Sequence, residues 1–186
     1  SGTYYPREYL NSGFLTVKQS EHYLNKKKRL TIAKEIELSA AHNILLNVFY
    51  YQNRNQEKPL LSENKIKIED LENKINDAAQ ISELMGIEGK IRELYYETWN
   101  EIINQKIDFN KRVKHPPDNL INALISFGNS MMYSSVLSEI YKTQLTPTIS
   151  YLHEPGERRF SLALDIAETF KPIIVDRLIF SLLNNK

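Results

Sequence analysis

The sequence predicts an all-α fold, with a multi-helix domain over residues 26–186 and a short extended arm over residues 1–25. Apolar residues recur every three or four positions through most of the chain after Asn25, which is the period of a helix face. Clusters of Pro, Gly and Asn separate these stretches. A strand-like run occurs only at residues 14–17, and one short run is too little to build a sheet.

The first three predicted helices are read from this period. The first spans about residues 25–51 and carries one charged interruption, Glu37, on a face of Leu, Ala and Ile. A strongly charged second helix follows over about residues 62–80, after a polar loop. The third spans about residues 81–106. Together they predict most of the apolar core.

Three further helices are predicted after two prolines in the stretch HPPDNL exclude helix from that segment. Asp118 is predicted to cap the fourth helix, which ends near Lys142. Ser161 is predicted to cap the fifth, which ends at Phe170. Pro172 suits the first turn of a sixth.

The composition is typical of a packed globular protein, because 41% of the 186 residues are hydrophobic and 25% are charged. The absence of Cys excludes disulfides, thiolate zinc sites and a cysteine nucleophile, and fits a reducing compartment. No apolar run approaches ~18 residues, and the first residues lack the pattern of a signal peptide. We therefore expect a cytoplasmic protein that does not associate with membranes.

One acid, Glu88, lies on the apolar face of the predicted third helix. A buried carboxylate without a partner costs several kcal/mol, so a cation or strong donors must hold its charge. Two interpretations stay open, namely an ion pair with Arg92 at i+4 and a metal ligand. Gly86 and Gly89 flank Glu88 and lower helix propensity, so we expect a close approach to the backbone there. The rest of this face is Leu84, Ile91, Tyr95, Thr98 and Ile102.

A second set of candidate ligands surrounds the predicted fifth helix. Asp165 and Glu168 lie three residues apart and therefore on one side of a helix, and His153 precedes them in a Pro/Gly loop. Two carboxylates and an imidazole suit a divalent ion such as Mn²⁺ or Mg²⁺ and leave positions for phosphate oxygens. The alternatives are that Lys171 neutralises Glu168 and that His153 is structural.

Basic residues are clustered although the net charge is only +1. The clusters are KKKR at residues 26–29, KRVKH at residues 111–115 and the pair Arg158 and Arg159. Such runs bind phosphates or simply form a solvated face, and both interpretations stay open.

Three stretches, taken together and in this order, resemble the CRISPR-associated protein one family. They are LMGIEGKIRELYYETW, HPPDNLINALISFGNSMMY and TPTISYLHEPGERRFSLALDIAETFKPIIVDRLI. The resemblance implies the C-terminal helical catalytic domain of a metal-dependent DNA endonuclease and integrase, without the family's N-terminal β-domain. In that family the enzyme joins spacer DNA 3′-hydroxyls to repeat phosphodiesters during CRISPR adaptation.

The resemblance also implies the site. Glu88, His153 and Asp165 match the catalytic metal ligands, for Mn²⁺ or Mg²⁺, and Glu168 matches a further acidic position. Relatives often have an aromatic residue where this chain has Asn129, so the resemblance implies no DNA contact at this position. Residues expected to bind DNA phosphates are Lys111, Arg112, Arg158 and Arg159.

Expected partners are spacer-precursor and repeat DNA, CRISPR-associated protein two, and a second copy of the full-length protein, contacted through the β-domain. The alternative function is a non-enzymatic helical module that binds DNA or protein. In that case Glu88 pairs with Arg92 and no metal is needed.

Overall fold

The computed structural model describes residues 12–54, 58–105, 109–114, 116–157 and 159–185, and all regular structure within these ranges is helical. The all-α prediction is therefore confirmed. A π-helical segment at Pro172–Asp176 joins the last two helices without a break. The helices are α1 (Gly13–Leu24), α2 (Lys26–Arg54), α3 (Pro59–Ile75), α4 (Ile81–Glu97), α5 (Trp99–Ile102), α6 (Leu120–Ile140), α7 (Ser161–Lys171) and α8 (Arg177–Asn184).

The extended conformation expected before residue 26 is wrong for residues 13–24, because these form α1. Ser12 caps this helix, and its Oγ accepts a hydrogen bond from the Leu15 N–H at 3.3 Å. The chain leaves helical geometry at Asn25, with φ −79° and ψ 101°. A local run of β-favouring residues is a weak signal beside a good cap and tertiary contacts. Residues 1–11 of the expected arm lie outside the described ranges.

Several helix boundaries also differ from the predicted ones. The predicted third helix ends at Glu97 and restarts as α5, because Thr98 Oγ1 donates to the Tyr95 carbonyl at 2.6 Å. Asn119, rather than Asp118, caps α6, and its Oδ1 accepts from the Asn122 N–H at 2.8 Å. Side-chain hydroxyl and amide groups near helix ends can bond to several backbone groups. The sequence therefore did not distinguish between neighbouring residues as the cap or the end of a helix.

Ser161 does not cap α7 either. It is the first residue of the helix, is fully buried, and its Oγ donates to the Thr148 carbonyl at 2.8 Å. This bond fastens the segment before α7 onto the helix. Pro172 is the first residue of the π-helical segment that directly follows α7.

Helix α2 lies at the centre of the domain and packs against α3, α4 and α7, while α6 packs on α7. The apolar face predicted for the third helix is confirmed, since Leu84, Ile91 and Tyr95 are fully buried. Because α4 and α7 both pack on α2, the acids of these helices face a common space. Within the described ranges, no helix combines the length and apolarity needed to cross a membrane.

Candidate active site

Asp165 of α7 is fully buried, and its side chain accepts hydrogen bonds from the turn that carries His153. Its Oδ2 accepts backbone N–H groups from Tyr151 at 2.6 Å and Leu152 at 2.9 Å. Its Oδ1 accepts the backbone N–H of His153 at 2.9 Å and contacts the imidazole Nδ1 at 2.8 Å. An ionised carboxylate only accepts, so Nδ1 carries the hydrogen and Nε2 is left for another partner.

This arrangement gives Asp165 a different part from the predicted one. Both of its oxygens already accept two hydrogen bonds each, so it orients the imidazole of His153. A carboxylate in this position is what fixes the tautomer and ring direction of a metal-binding histidine. The side chain of His153 remains 20% exposed.

Glu88, Arg92, Glu168 and Lys171 form a second group, built from α4 and α7. Arg92 Nε donates to Glu88 Oε1 at 3.2 Å, and Arg92 Nη2 donates to Glu168 Oε2. Lys171 Nζ donates to the other oxygen of Glu168. The two ion pairs that the sequence offered as alternatives to a metal are therefore both present.

The charges in this group are strongly coupled. Burial alone would raise the pKa of Glu168, but Arg92, Lys171 and, more weakly, His153 outweigh it and lower this pKa to about 2. Glu168 is thus ionised at neutral pH.

Glu37 of α2 belongs to the same group, although the sequence indicated only a charged interruption. Its side chain is buried, and burial followed by repulsion from Glu88 raises its pKa to about 8. Oε2 has no hydrogen-bond partner within the described ranges. With its pKa at about 8, Glu37 keeps its proton at pH 7. Its position on an apolar helix face was the available signal.

A cavity of about 440 Å³ opens beside these carboxylates, and the basic run at residues 111–114 contributes to its lining.

Arg112, in this lining, was predicted to bind DNA. Its guanidinium donates to Asn122 Oδ1 at 3.0 Å and to Ser126 Oγ at 2.8 Å, and these bonds hold its segment against α6. Lys111 and Lys114 are exposed at the rim instead. The lining consists of Glu88, Gly89, Arg92, Glu93, Tyr96, Glu97, Asn110, Lys111, Arg112, Lys114, Asn129, Glu168 and Lys171.

One of the two predicted arginines after His153 does not line this cavity. Arg159 is exposed and lies outside its lining, and Arg158 lies outside the described ranges. Asn129, by contrast, lines the cavity, and its Oδ1 is buried without a hydrogen-bond partner in the part of the chain that the structure describes.

The predicted ligands are not gathered into a closed metal centre. No three acids, histidines or cysteines among the described residues are close enough to hold one ion. Glu88 and Glu168 instead share Arg92, and His153 is paired with Asp165. The donor types nevertheless suit Mn²⁺ or Mg²⁺, since carboxylate oxygens and one imidazole are available and two basic side chains now balance their charge.

The family profile described as "CRISPR associated protein Cas1" matches residues 1–186. A CRISPR-associated endonuclease Cas1 of Fusobacterium nucleatum is 57% identical over 184 residues, which cover 99% of this chain and 54% of that protein. CRISPR-associated protein Cas1 1 of Methanobrevibacter ruminantium is 51% identical over 186 residues, covering 100% of this chain and 54% of that protein. The chain thus spans about half the length of these relatives.

Solved structures show the same similarity. A Cas1 protein from Thermotoga maritima superposes with a TM-score of 0.84 at 48% identity, covering 99% of this chain and 56% of the other. A casposase bound to integration product has a TM-score of 0.81 at 24% identity, covering 93% of this chain and 48% of the other, and at that identity it shows the fold alone.

Proposed function

The chain belongs to the Cas1 family of CRISPR-associated proteins, and we propose that it is the helical catalytic part of a divalent-metal-dependent DNA endonuclease and integrase. The observation that carries this proposal is the convergence of Glu88 and Glu168 on one guanidinium, beside the oriented imidazole of His153. Glu88, Arg92 and Glu168 line a cavity whose lining also includes the exposed Lys111 and Lys114.

We assign the ion to Glu88, Glu168 and the Nε2 of His153, which are too far apart in the metal-free arrangement and would come together as the ion displaces Arg92 from between the two carboxylates, with Asp165 as the orienting carboxylate. This changes the predicted ligand set, because both oxygens of Asp165 are occupied by hydrogen bonds while Glu168 has only side-chain cations as partners. A bound Mn²⁺ or Mg²⁺ would supply a Lewis acid that polarises the phosphodiester and stabilises the attacking or leaving oxygen.

The basic residues of the cavity have different roles in this proposal. Lys111 and Lys114 bind DNA phosphates, because they are exposed at the rim and are cations without a described ion pair. Arg92 and Lys171 balance the charge of the carboxylates while no ion is bound. Arg159 contributes to DNA binding only outside the cavity.

The partners are proposed from the membership of this chain in the Cas1 family. Solved relatives include a Cas6-RT-Cas1–Cas2 complex, at 22% identity, which supports the fold. We propose that the full-length protein works as a dimer with CRISPR-associated protein two on spacer and repeat DNA. The part of the relatives that this chain does not span would contribute to these contacts. We therefore expect the chain by itself to bind the metal ion but to join DNA poorly.

A direct experiment combines metal binding with chemistry. Glu88→Ala, His153→Ala and Glu168→Ala should each abolish Mn²⁺-dependent joining of a DNA 3′-hydroxyl in the full-length protein. They should also abolish the Mn²⁺-induced rise in melting temperature of this chain. Joining that survives in all three variants would reject the proposal.

One observation favours the alternative of a non-enzymatic helical module. The Glu88–Arg92 ion pair that this alternative requires is present, at 3.2 Å. The two functions differ in a simple measurement, since a module without a metal site shows no stabilisation by Mn²⁺ beyond that given by equal ionic strength.

A further inference from the structure

We propose that Gln19 and Arg29, from α1 and α2, are positioning residues for His153. They hold residues 146–154, here named the His153 segment, through contacts that do not involve α7. The inference rests on the proposed function in so far as His153 takes part in it. The physical attachment of the segment is independent of that function.

Gln19 makes two hydrogen bonds with the backbone of one residue of the segment, Thr146. Its Oε1 accepts the Thr146 N–H at 2.8 Å, and its Nε2 donates to the Thr146 carbonyl at 3.3 Å. The side chain is 4% exposed, so water competes little for these bonds. The hydroxyls of Thr16 and Thr146 add a third bond, at 2.9 Å.

These polar bonds attach α1 to the segment. Gln19 is the buried residue of α1, Leu15 and Tyr23 are half-buried, and three other large apolar side chains point to solvent. Phe14 is 82% exposed, Val17 69% and Leu24 76%. Loss of the Gln19 carboxamide therefore removes the main anchor of this helix on the segment.

Arg29 makes the second contact, at the residues next to the imidazole. Its Nε donates to the Tyr151 carbonyl at 2.9 Å, and its Nη2 donates to Glu154 Oε1 at 2.8 Å. The guanidinium stacks over the ring of Tyr23 with 4.5 Å to the centroid, and the Tyr23 hydroxyl donates to Glu154 Oε2 at 2.8 Å. His153 lies between the two residues that Arg29 holds.

Tyr151 is the point where the contacts from α2 and α7 meet. Its N–H donates to Asp165 at 2.6 Å, and its carbonyl accepts from Arg29. Asp165 also fixes the imidazole through Nδ1. A shift of the Tyr151 backbone after loss of Arg29 would therefore disturb the same turn that sets the direction of Nε2. Helices α1 and α2 thus help to set the orientation of His153.

Amide hydrogen exchange of this chain tests the attachment without any activity. Gln19→Ala and Arg29→Met should speed exchange at Thr146 and at residues 151–153 by tenfold or more, since each removed bond contributes about a factor of ten. Tyr23→Phe, which removes one exposed hydroxyl bond, should have a smaller effect at residue 154. Lys28→Met is the matched control, because Lys28 pairs with Glu21 at 2.5 Å and makes no described contact with the segment.

Joining assays on the full-length protein test the consequence for His153. Gln19→Ala and Arg29→Met should lower kcat about tenfold with KM for DNA changed less than twofold, and Arg29→Lys should recover part of the loss. Unchanged exchange at residues 146–153 would overturn the proposal, as would faster exchange with an unchanged kcat. If the unaltered full-length protein joins no DNA, the proposed function fails, and exchange alone decides whether α1 and α2 hold the segment.

Discussion

Glu88 and Glu168 lie on different helices and share the guanidinium of Arg92. Two ionised carboxylates that approach each other need a cation between them. In this chain an arginine side chain provides it, and Lys171 covers the second oxygen of Glu168. A divalent ion bound between these acids therefore competes with a cation that the protein itself supplies.

Replacing Arg92 tests this competition. Arg92→Met should lower the stability of the metal-free chain, because the carboxylates then repel each other without compensation. The Mn²⁺-induced rise in melting temperature should become larger, since a tenfold gain in affinity adds about 1.4 kcal/mol of stabilisation at saturating ion. Lys90→Met, which removes an exposed ion pair with Glu93 on the same helix, should change neither. A smaller Mn²⁺ effect in Arg92→Met would show that Arg92 supports the ion instead.

Asp165→Asn should destabilise the chain although it changes few atoms. The asparagine keeps one acceptor oxygen, and its NH₂ group faces N–H donors that the carboxylate had satisfied. Two lost bonds with unsatisfied buried donors cost about 2–4 kcal/mol. Urea unfolding measures the loss, with Asp70→Asn on the exposed side of α3 as the control. Equal midpoints for both variants would contradict the hydrogen-bond account of Asp165.

The sequence was sufficient for those parts of the site that depend on helix period. Glu88 was found as an acid on an apolar face, and its i+4 relation to Arg92 gave one of two open interpretations, the ion pair that the structure has. The likeness of sequence motifs gave His153, Asp165 and Glu168. The difference between Asp165 and Glu168 was not predictable, because it depends on how the His153 segment folds back onto α7.

Tertiary contacts account for the other differences. Arg112 lies in a basic run that is typical of a phosphate-binding surface, but the packing of its segment against α6 supplies Asn122 and Ser126 as partners. Glu37 is distant from the motifs, and the assembly of α2, α4 and α7 brings it next to Glu88 and Glu168. Such contacts join residues far apart in the chain, which periodicity does not report.

Glu37→Gln should change how stability depends on pH. Burial raises the pKa of Glu37 from 4.5 to about 8, so the folded state holds a proton that the unfolded state loses above pH 4.5. Stability is therefore lost as pH rises from about 4.5 to 8, and stays lower above that range. Glutamine does not titrate, so the unfolding free energies at pH 5 and pH 9 should differ less in the variant than in the unaltered chain, with the remaining difference coming from buried Asp176, whose pKa is raised to about 7. An unchanged difference between the two pH values would mean that Glu37 is not protonated in the folded state.

The basic residues at the cavity should separate into structural and DNA-binding ones. Arg112→Met should lower the melting temperature, because it removes buried bonds to α6. Lys114→Ala should leave stability unchanged but weaken DNA binding by the full-length protein and reduce the slope of log K against log salt by about one. Fluorescence anisotropy at several salt concentrations gives this slope. The reverse pattern would restore Arg112 as the phosphate contact.

Substitution of the two glycines beside Glu88 distinguishes an effect on stability from an effect on DNA joining. The close approach expected at their backbone is not made by the described residues, because a Cβ at Gly86 or Gly89 would meet nothing within 4 Å. Each alanine should therefore stabilise α4 by about 0.5–1 kcal/mol. Gly128→Ala is the contrasting case, since its Cβ would lie 2.5 Å from Val175 Cγ1, and it should destabilise the contact between α6 and the π-helical segment.

The two glycines of α4 differ in their position relative to the cavity, because Gly89 lines it and Gly86 does not. If DNA is what approaches this backbone, Gly89→Ala should reduce joining by the full-length protein while Gly86→Ala leaves it intact, and equal activity in both variants would place the DNA elsewhere.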